Sequence, residues 1–404
     1  MHIKPGAIWS RYGIWYLSIL LAFAVVAVVY VWRAGRAERH LVEAEQLLAR
    51  GDYAALPDWL ALPEATPATR DRALLIRARM ALARGKPDEA VGPLDAIDGD
   101  GPRAVDAWFW KGRTLLAVGQ PLRAAGWFRS VVDRRPDDAD AHRWLAAASY
   151  DLGDHKTSLV ELREVTRLDP DDPRAWRTMA LLLKEDDDLE PARSAYEQAL
   201  HLDPAQPPVR LELAEVLTTQ GQYDEAERQL GLCSGKVPEG DRLEILARCY
   251  RARGDREKLR SLIDRASARQ PNHPGLLHQA AQAEADEGRT AEAIALLDRV
   301  IVLDPYRSAA IYQRGLMRKA SGDAEGAALD LARSSELKAT LAEMSRLNDE
   351  AAANPEDAGL RVKIAGLCER LGKDEMAAFW YRAALASDPE NLGAKSGLAA
   401  LEGR

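Results

Sequence analysis

PRAWRTMALLLKEDDDLEPARSAYEQALHLDP, residues 173–204, decides how the rest of the chain is read. Trp176, Met179, Ala180 and Leu183 recur at i, i+3, i+4 and i+7, which is one apolar stripe along a helix. The acidic run Asp186–Asp188 interrupts that stripe. Pro191 then falls in the first turn of a second helix, where its missing N–H costs nothing. Ala192, Tyr196 and Ala199 form the second stripe. Leu202-Asp203-Pro204 ends it, because the residue before a proline is pushed out of the helical region. The stretch therefore reads as two helices joined by a tight turn, with the small side chains of Ala180 and Ala192 where the helices must approach.

The same unit recurs on both sides. Glycine stands at Gly51, Gly85, Gly119, Gly153 and, after one Asp187, at Gly221, each step being 34 residues. Pro102, Pro136, Pro170, Pro204 and Pro238 keep the same period out of phase. Ala44, Ala78, Gly112, Ala146, Ala180 and Ala214 precede each member of the glycine series by seven residues. Three independent series in one phase mean a single supersecondary unit repeated, and this period belongs to helix–turn–helix repeats. Such units stack, and stacked units present long surfaces suited to binding other proteins.

These units resemble tetratricopeptide repeats. The family pattern is best matched in 105–138, by Trp108, Gly112, Leu115, Gly119, Ala124, Phe128 and Pro136. It is matched in part by 139–172, 173–206 and 207–240, the last through Leu213, Ala214, Gly221, Tyr223, Ala226 and Pro238. One residue fewer separates Pro238 from Gly254 in 240–273. Units 274–307 and 308–341 follow in phase, and 358–391 is the last, with Gly372, Ala377, Tyr381, Ala384 and Pro389. The region 37–104 holds two degenerate units, whose second helices contain Pro57, Pro63 and Pro93. Together about ten units cover roughly 340 residues, and the fold class expected is an all-α superhelical solenoid. The 50 residues between Gly322 and Gly372 include extra sequence, a helical insert at 342–357. Leu337, Leu341, Met344 and Leu347 keep helical spacing there, so the stretch reads as an overlong second helix or an added one. Residues 392–404 resemble a helix capping the last apolar face.

A second signal precedes the repeats. After a short tail, 1–11, residues 12–32 carry no charge, and at 1.5 Å per residue they span roughly 30 Å, a bilayer's hydrocarbon thickness. Trp9, Tyr12, Trp15 and Tyr16 at one end, with Tyr30 and Trp32 at the other, fit interfacial aromatic belts. A cleaved signal peptide fits less well, because its apolar region should be shorter and Gly35-Arg36-Ala37 is a poor cleavage triplet. The expectation is a single-pass anchor, in a bacterial inner membrane if the source is bacterial. Basic residues balance across the span, with Lys4 and Arg11 before it and Arg33, Arg36 and Arg39 after it. The short basic tail favours repeats on the periplasmic side; the unpaired cysteines and the arginine cluster favour the cytoplasmic side, and the balance tips slightly to the periplasm.

Composition is that of an ordinary folded chain, 47% apolar and 29% charged. With a net charge of −8 and scattered basic residues, nucleic acid is not expected as a partner. Cys233, Cys249 and Cys368 have no metal spacing, and each falls at a repeat position expected to pack inward. No histidine has a ligand partner at i+3 or i+4, and there is no phosphate loop or nucleophile elbow, so neither catalysis nor a cofactor is expected. The acidic turns, such as Asp137-Asp138 and Asp186 to Asp188, read as helix caps.

The resemblance implies a binding wall on the first helices, at positions 2, 5, 9, 12 and 13 of each unit. Carried over, it gives Arg79, Phe109, Arg113, Arg143, Arg174, Arg177, Lys184, Arg248 and Tyr312. Guanidinium forks suit carboxylates and acidic peptides, although Asp106, Asp140 and Glu185 on the same wall are available to neutralise them. The Lys/Asn carboxylate clamp of the chaperone-binding subset is not found, and neither is the paired-cysteine module of a related anchored family. The function expected is a membrane-tethered, non-catalytic scaffold for a protein or peptide with an acidic segment. The alternatives are an accessory subunit of an envelope assembly or biosynthesis complex, docking through a span that contains Ala22, Ala24 and Ala27, and an enzyme with an unrecognised site.

Overall fold

The computed structural model describes residues 6–354 and 356–403, with side chains described at residue 15 and from residue 19 onward. Every element among them is an α-helix or a turn. The chain divides into two compact units, 1–136 and 137–404.

Unit 1 contains α1 (Gly6–Arg50), α2 (Leu56–Glu64), α3 (Arg70–Ala83), α4 (Asp88–Asp95), α5 (Ala104–Ala117) and α6 (Pro121–Arg134). The proposed span and the first repeat helix are one continuous helix of 45 residues. Its apolar stretch from Ile19 to Trp32 is exposed throughout, whereas Ala37 is buried and Leu41, Ala44 and Leu47 are buried with Leu56, Leu60 and Ile76. Trp15, Tyr30 and Trp32 are all exposed; Trp9, Tyr12 and Tyr16 of the expected belts, with Lys4 and Arg11, lie outside the described side chains. The prolines shorten the second helices rather than abolish them. Pro57 sits in the first turn of α2, which ends one residue after Pro63, and α4 ends two residues after Pro93. Beyond them, Phe128 of α6 is fully buried beneath Gly112 of α5.

Unit 2 contains α7 (Ala139–Asp151), α8 (His155–Leu168), α9 (Pro173–Glu185), α10 (Leu189–Leu202), α11 (Pro207–Thr219), α12 (Tyr223–Leu232), α13 (Glu239–Arg253) and α14 (Arg256–Arg269). It continues with α15 (Pro274–Asp286), α16 (Thr290–Leu303), α17 (Ser308–Ala320), α18 (Ala324–Ala353), α19 (Ala358–Arg370), α20 (Asp374–Ser387) and α21 (Leu392–Glu402). The largest core joins α9 and α10 to their neighbours through Ala180, Leu183, Ala192, Tyr196, Leu213 and Leu230. Asp138, Asp154 and Asp172 each accept a hydrogen bond from a backbone N–H in the first turn of α7, α8 and α9. These acidic turns cap helices as expected, but Asp188, at the start of α10, makes no side-chain bond to the first-turn backbone.

The glycine series has a backbone cause. Gly119 closes α5 with φ 73°, and its N–H and that of Gln120 donate to the carbonyls of Leu116 and Leu115 at 3.0 and 2.8 Å, the αL helix ending that glycine adopts without steric cost. Asp187 keeps the same geometry at φ 60°, where a side chain crowds the following carbonyl. Asp187→Gly should therefore stabilise the α9–α10 pair by about 0.5–1 kcal/mol. Amide exchange in α9 and α10 that is not slower in the variant would contradict this.

The extra sequence after Gly322 lengthens one helix. α18 runs unbroken for 30 residues, roughly 45 Å at the usual rise. Its first half packs on α17, and Leu347 and Ala351 in its second half join the core of α19 and α20 with Ile364 and Trp380. α21 lays Leu398 and Leu401 on that same core. The stack of unit 2 also returns on itself. A Cβ on Gly153, in the α7–α8 turn, would lie 3.2 Å from the Trp380 ring of α20, and the Lys156 ammonium is 3.4 Å from the Asp349 carboxylate of α18.

Candidate binding surfaces

In unit 1 the expected wall residues gather around one tryptophan. Arg79 of α3 and Arg113 of α5 place their guanidinium carbons 5.2 and 5.3 Å from the Trp110 ring centroid. Cation–π attraction of this kind is worth about 0.5–1 kcal/mol at exposed sites. Phe109 is half-buried and meets Trp110 and Phe128 edge-on, so it serves the packing of the pair as well as its surface. Trp110 was not among the residues expected, although the run Trp108-Phe109-Trp110 marks it.

In unit 2 the first helices are stitched to one another by ion pairs. Arg177 of α9 donates to Glu212 of α11 through two nitrogens, at 3.2 and 2.6 Å. Lys184 reaches Glu215 of α11 at 2.9 Å, and Arg248 of α13 approaches the same carboxylate at 3.9 Å. Donation to the Glu212 carboxylate raises the pKa of Arg177 against the opposing effect of burial. Arg143 pairs with Asp140, Asp169 and Asp172. Most of the expected cations are thus already neutralised, chiefly by carboxylates of their own or the following repeat. Arg174 is the exception: its side chain is 93% exposed and its carboxylate contact, Asp172, is 4.0 Å away. Tyr312 of α17 is exposed, with the Lys338 ammonium 4.9 Å from its ring centroid.

Asp106 pairs with Arg103 and Arg135, and Glu185 lies 3.8 Å from His155. Trp176, expected in the core, is partly buried against it and donates its indole N–H to the Pro170 carbonyl at 2.9 Å. His278 of α15 is buried beside Gln313 of α17, 2.8 Å away, and burial lowers its pKa so that the ring stays neutral. The three cysteines are fully buried. Burial raises the pKa of each thiol, that of Cys368 to about 11, so these are packing residues with little thiolate character.

Family models described as tetratricopeptide repeat match residues 77–138, 115–182, 183–234 and 243–275. No curated protein matches the chain. Among solved structures, a tetratricopeptide repeat protein from Parabacteroides merdae ATCC 43184 is 15% identical, with 65% of this chain and 98% of that chain covered and a TM-score of 0.43. Pseudomonas aeruginosa pilF is 22% identical over 53% of this chain and 97% of that chain, with a TM-score of 0.43. The crystal structure of MamA is 18% identical over 39% of this chain and 91% of that one, with a TM-score of 0.37. With the repeat recognised in stretches between 77 and 275 and the same helix pair built on both sides of them, the chain belongs to the tetratricopeptide-repeat proteins.

Proposed function

We propose that this protein is a membrane-tethered scaffold without chemistry of its own, holding a protein or peptide partner on the face of its first helices. The observation that carries the tether is α1. Its exposed apolar stretch, Ile19 to Trp32, runs straight into residues buried in the first repeat. An apolar surface of that length left bare in water would be strongly unfavourable, and a bilayer covers it. The repeat family supports the binding role. On the face shared by α9, α11 and α13, Arg174 and Arg248 have the longest carboxylate contacts and keep donors for a partner's acidic segment. The short basic tail before the span slightly favours repeats on the periplasmic side, which protease access in spheroplasts tests directly.

Membrane fractionation tests the tether. The full chain should stay in the pellet through an alkaline carbonate wash and be released by detergent, and a fragment beginning at Ala37 should be soluble and helical by circular dichroism. Release of the full chain by carbonate alone would refute the tether. For the binding face, an acetylated peptide alternating glutamate and leucine serves as probe in fluorescence anisotropy. Arg174→Gln with Arg248→Gln should weaken it about three- to tenfold, since exposed ion pairs contribute about 0.2–1 kcal/mol each, and should lessen its salt dependence. Equal binding by the double variant and the parent would remove this face.

A further inference from the structure

Where the stack of unit 2 returns on itself it encloses a cleft of about 870 Å³. One wall comes from the first two helix pairs of the unit. Tyr150 stacks on His155 at 5.5 Å with the rings nearly parallel, and Asp151 and Glu185 stand beside them. The opposite wall is apolar, formed by Met344 of α18 and by Met376, Phe379 and Trp380 of α20. Asn348 lies between them, its buried carbonyl oxygen without a hydrogen-bond partner.

The charges in the cleft are unbalanced. Asp151, Glu185, Asp374 and Glu375 line it against one lysine, Lys373. Asp151 and Glu185 are the last residues of α7 and α9, where the helix dipole already places partial negative charge and a carboxylate is disfavoured. Glu185 has the His155 ring 3.8 Å away, and among the described residues neither Glu185 nor Asp151 has an ion pair to a lysine or arginine. Burial raises the Asp151 carboxyl above the ordinary carboxylate range. A cation arriving here would meet two carboxylates, two helix C-termini and the face of Tyr150, with an apolar wall behind it.

We propose that this cleft receives an arginine or lysine side chain of an extended partner segment, whose adjacent apolar residue rests on Met344, Phe379 and Trp380. The occupant is opposite in charge to the one assigned to the α9–α11–α13 face, and the two readings stand or fall separately.

The test uses the full chain in a neutral detergent, with empty micelles as the baseline. The probe is a labelled five-residue peptide alternating leucine and arginine, and its comparator has glutamate in place of arginine. Saturable anisotropy is expected for the arginine peptide only. Asp151→Asn with Glu185→Gln should weaken it by about tenfold or more, as for removal of close charge pairs in a desolvated contact. Glu185→Gln alone should give part of that loss, and Arg174→Gln with Arg248→Gln none. Asp151→Asn removes a charge that burial disfavours, so its melting temperature at pH 7 should equal or exceed the parent's. A weakened affinity then reads as lost recognition. Equal affinity of parent and carboxylate variant, equal binding of the glutamate peptide, or no saturation up to millimolar arginine peptide would each overturn the proposal.

Discussion

Asp330→Ala should destabilise the α17–α18 pair by about 3–5 kcal/mol, the usual result of removing one partner from a buried ion pair. The Asp330 side chain is 5% exposed and that of Arg314 is 13% exposed. Arg314 donates to Asp330 through Nε at 2.8 Å and through Nη2 at 2.5 Å, and Arg318 adds a third bond at 3.0 Å. Alanine would leave the Arg314 guanidinium largely buried with only the more exposed Asp298 as its acid. Because this pair packs chiefly on its neighbouring repeats, the loss should be local. Amide exchange should accelerate in α17 and the first half of α18 and stay close to the parent's in α9 and α10. Asp330→Leu combined with Arg314→Met should recover most of the loss, since replacing both partners with apolar groups is often nearly neutral. Parental exchange rates in α17 of Asp330→Ala would show that the pair contributes little.

Gly112→Leu should destabilise the α5–α6 pair by about 1–3 kcal/mol or somewhat more. A Cβ at this position would stand 2.7 Å from two atoms of the Phe128 ring, and Phe128 is fully buried, so the ring has little room to withdraw. The longer leucine must displace it or part the helices. Phe128→Leu in the same chain should return part of the stability, because it removes ring atoms from the point of collision. That coupling is what separates steric overlap from a general loss of helix quality. Melting and exchange in α5 and α6 that match the parent's would mean that residue 112 does not face the partner helix.

Those two sites show which features were legible in sequence. Gly112 belongs to a series of small residues at a fixed period, and a period reports what every unit needs at one place, here close approach. The turn glycines were legible for the same reason, and Asp187 stood out as the member that breaks the series. The long exposed apolar stretch of α1 was legible because apolar length is a local property. The pairing of Arg177 with Glu212 and of Lys184 with Glu215 was not, since the eye searches for partners within a helix and these lie in the following repeat. Asp330 gave no signal: one aspartate in a long helix looks solvated until its arginines are placed. The cleft beside Trp380 was beyond reach of the sequence, because its walls meet only after small rotations between repeats have accumulated around the stack.

The unbroken course of α1 has a mechanical consequence. A glycine- or serine-rich linker would let a tethered domain wander through a volume set by the linker's length. A helix permits no such search. From Arg33 to Arg50 it rises roughly 27 Å at 1.5 Å per residue, so with the proposed span in a bilayer the first repeat would be held at a set height and azimuth above it. Rotation or tilt of the span would then be passed on as rotation or tilt of the repeat, like a mast stepped in a deck. Partners standing at the same height would be met at high effective concentration, and those out of its reach would hardly be met at all.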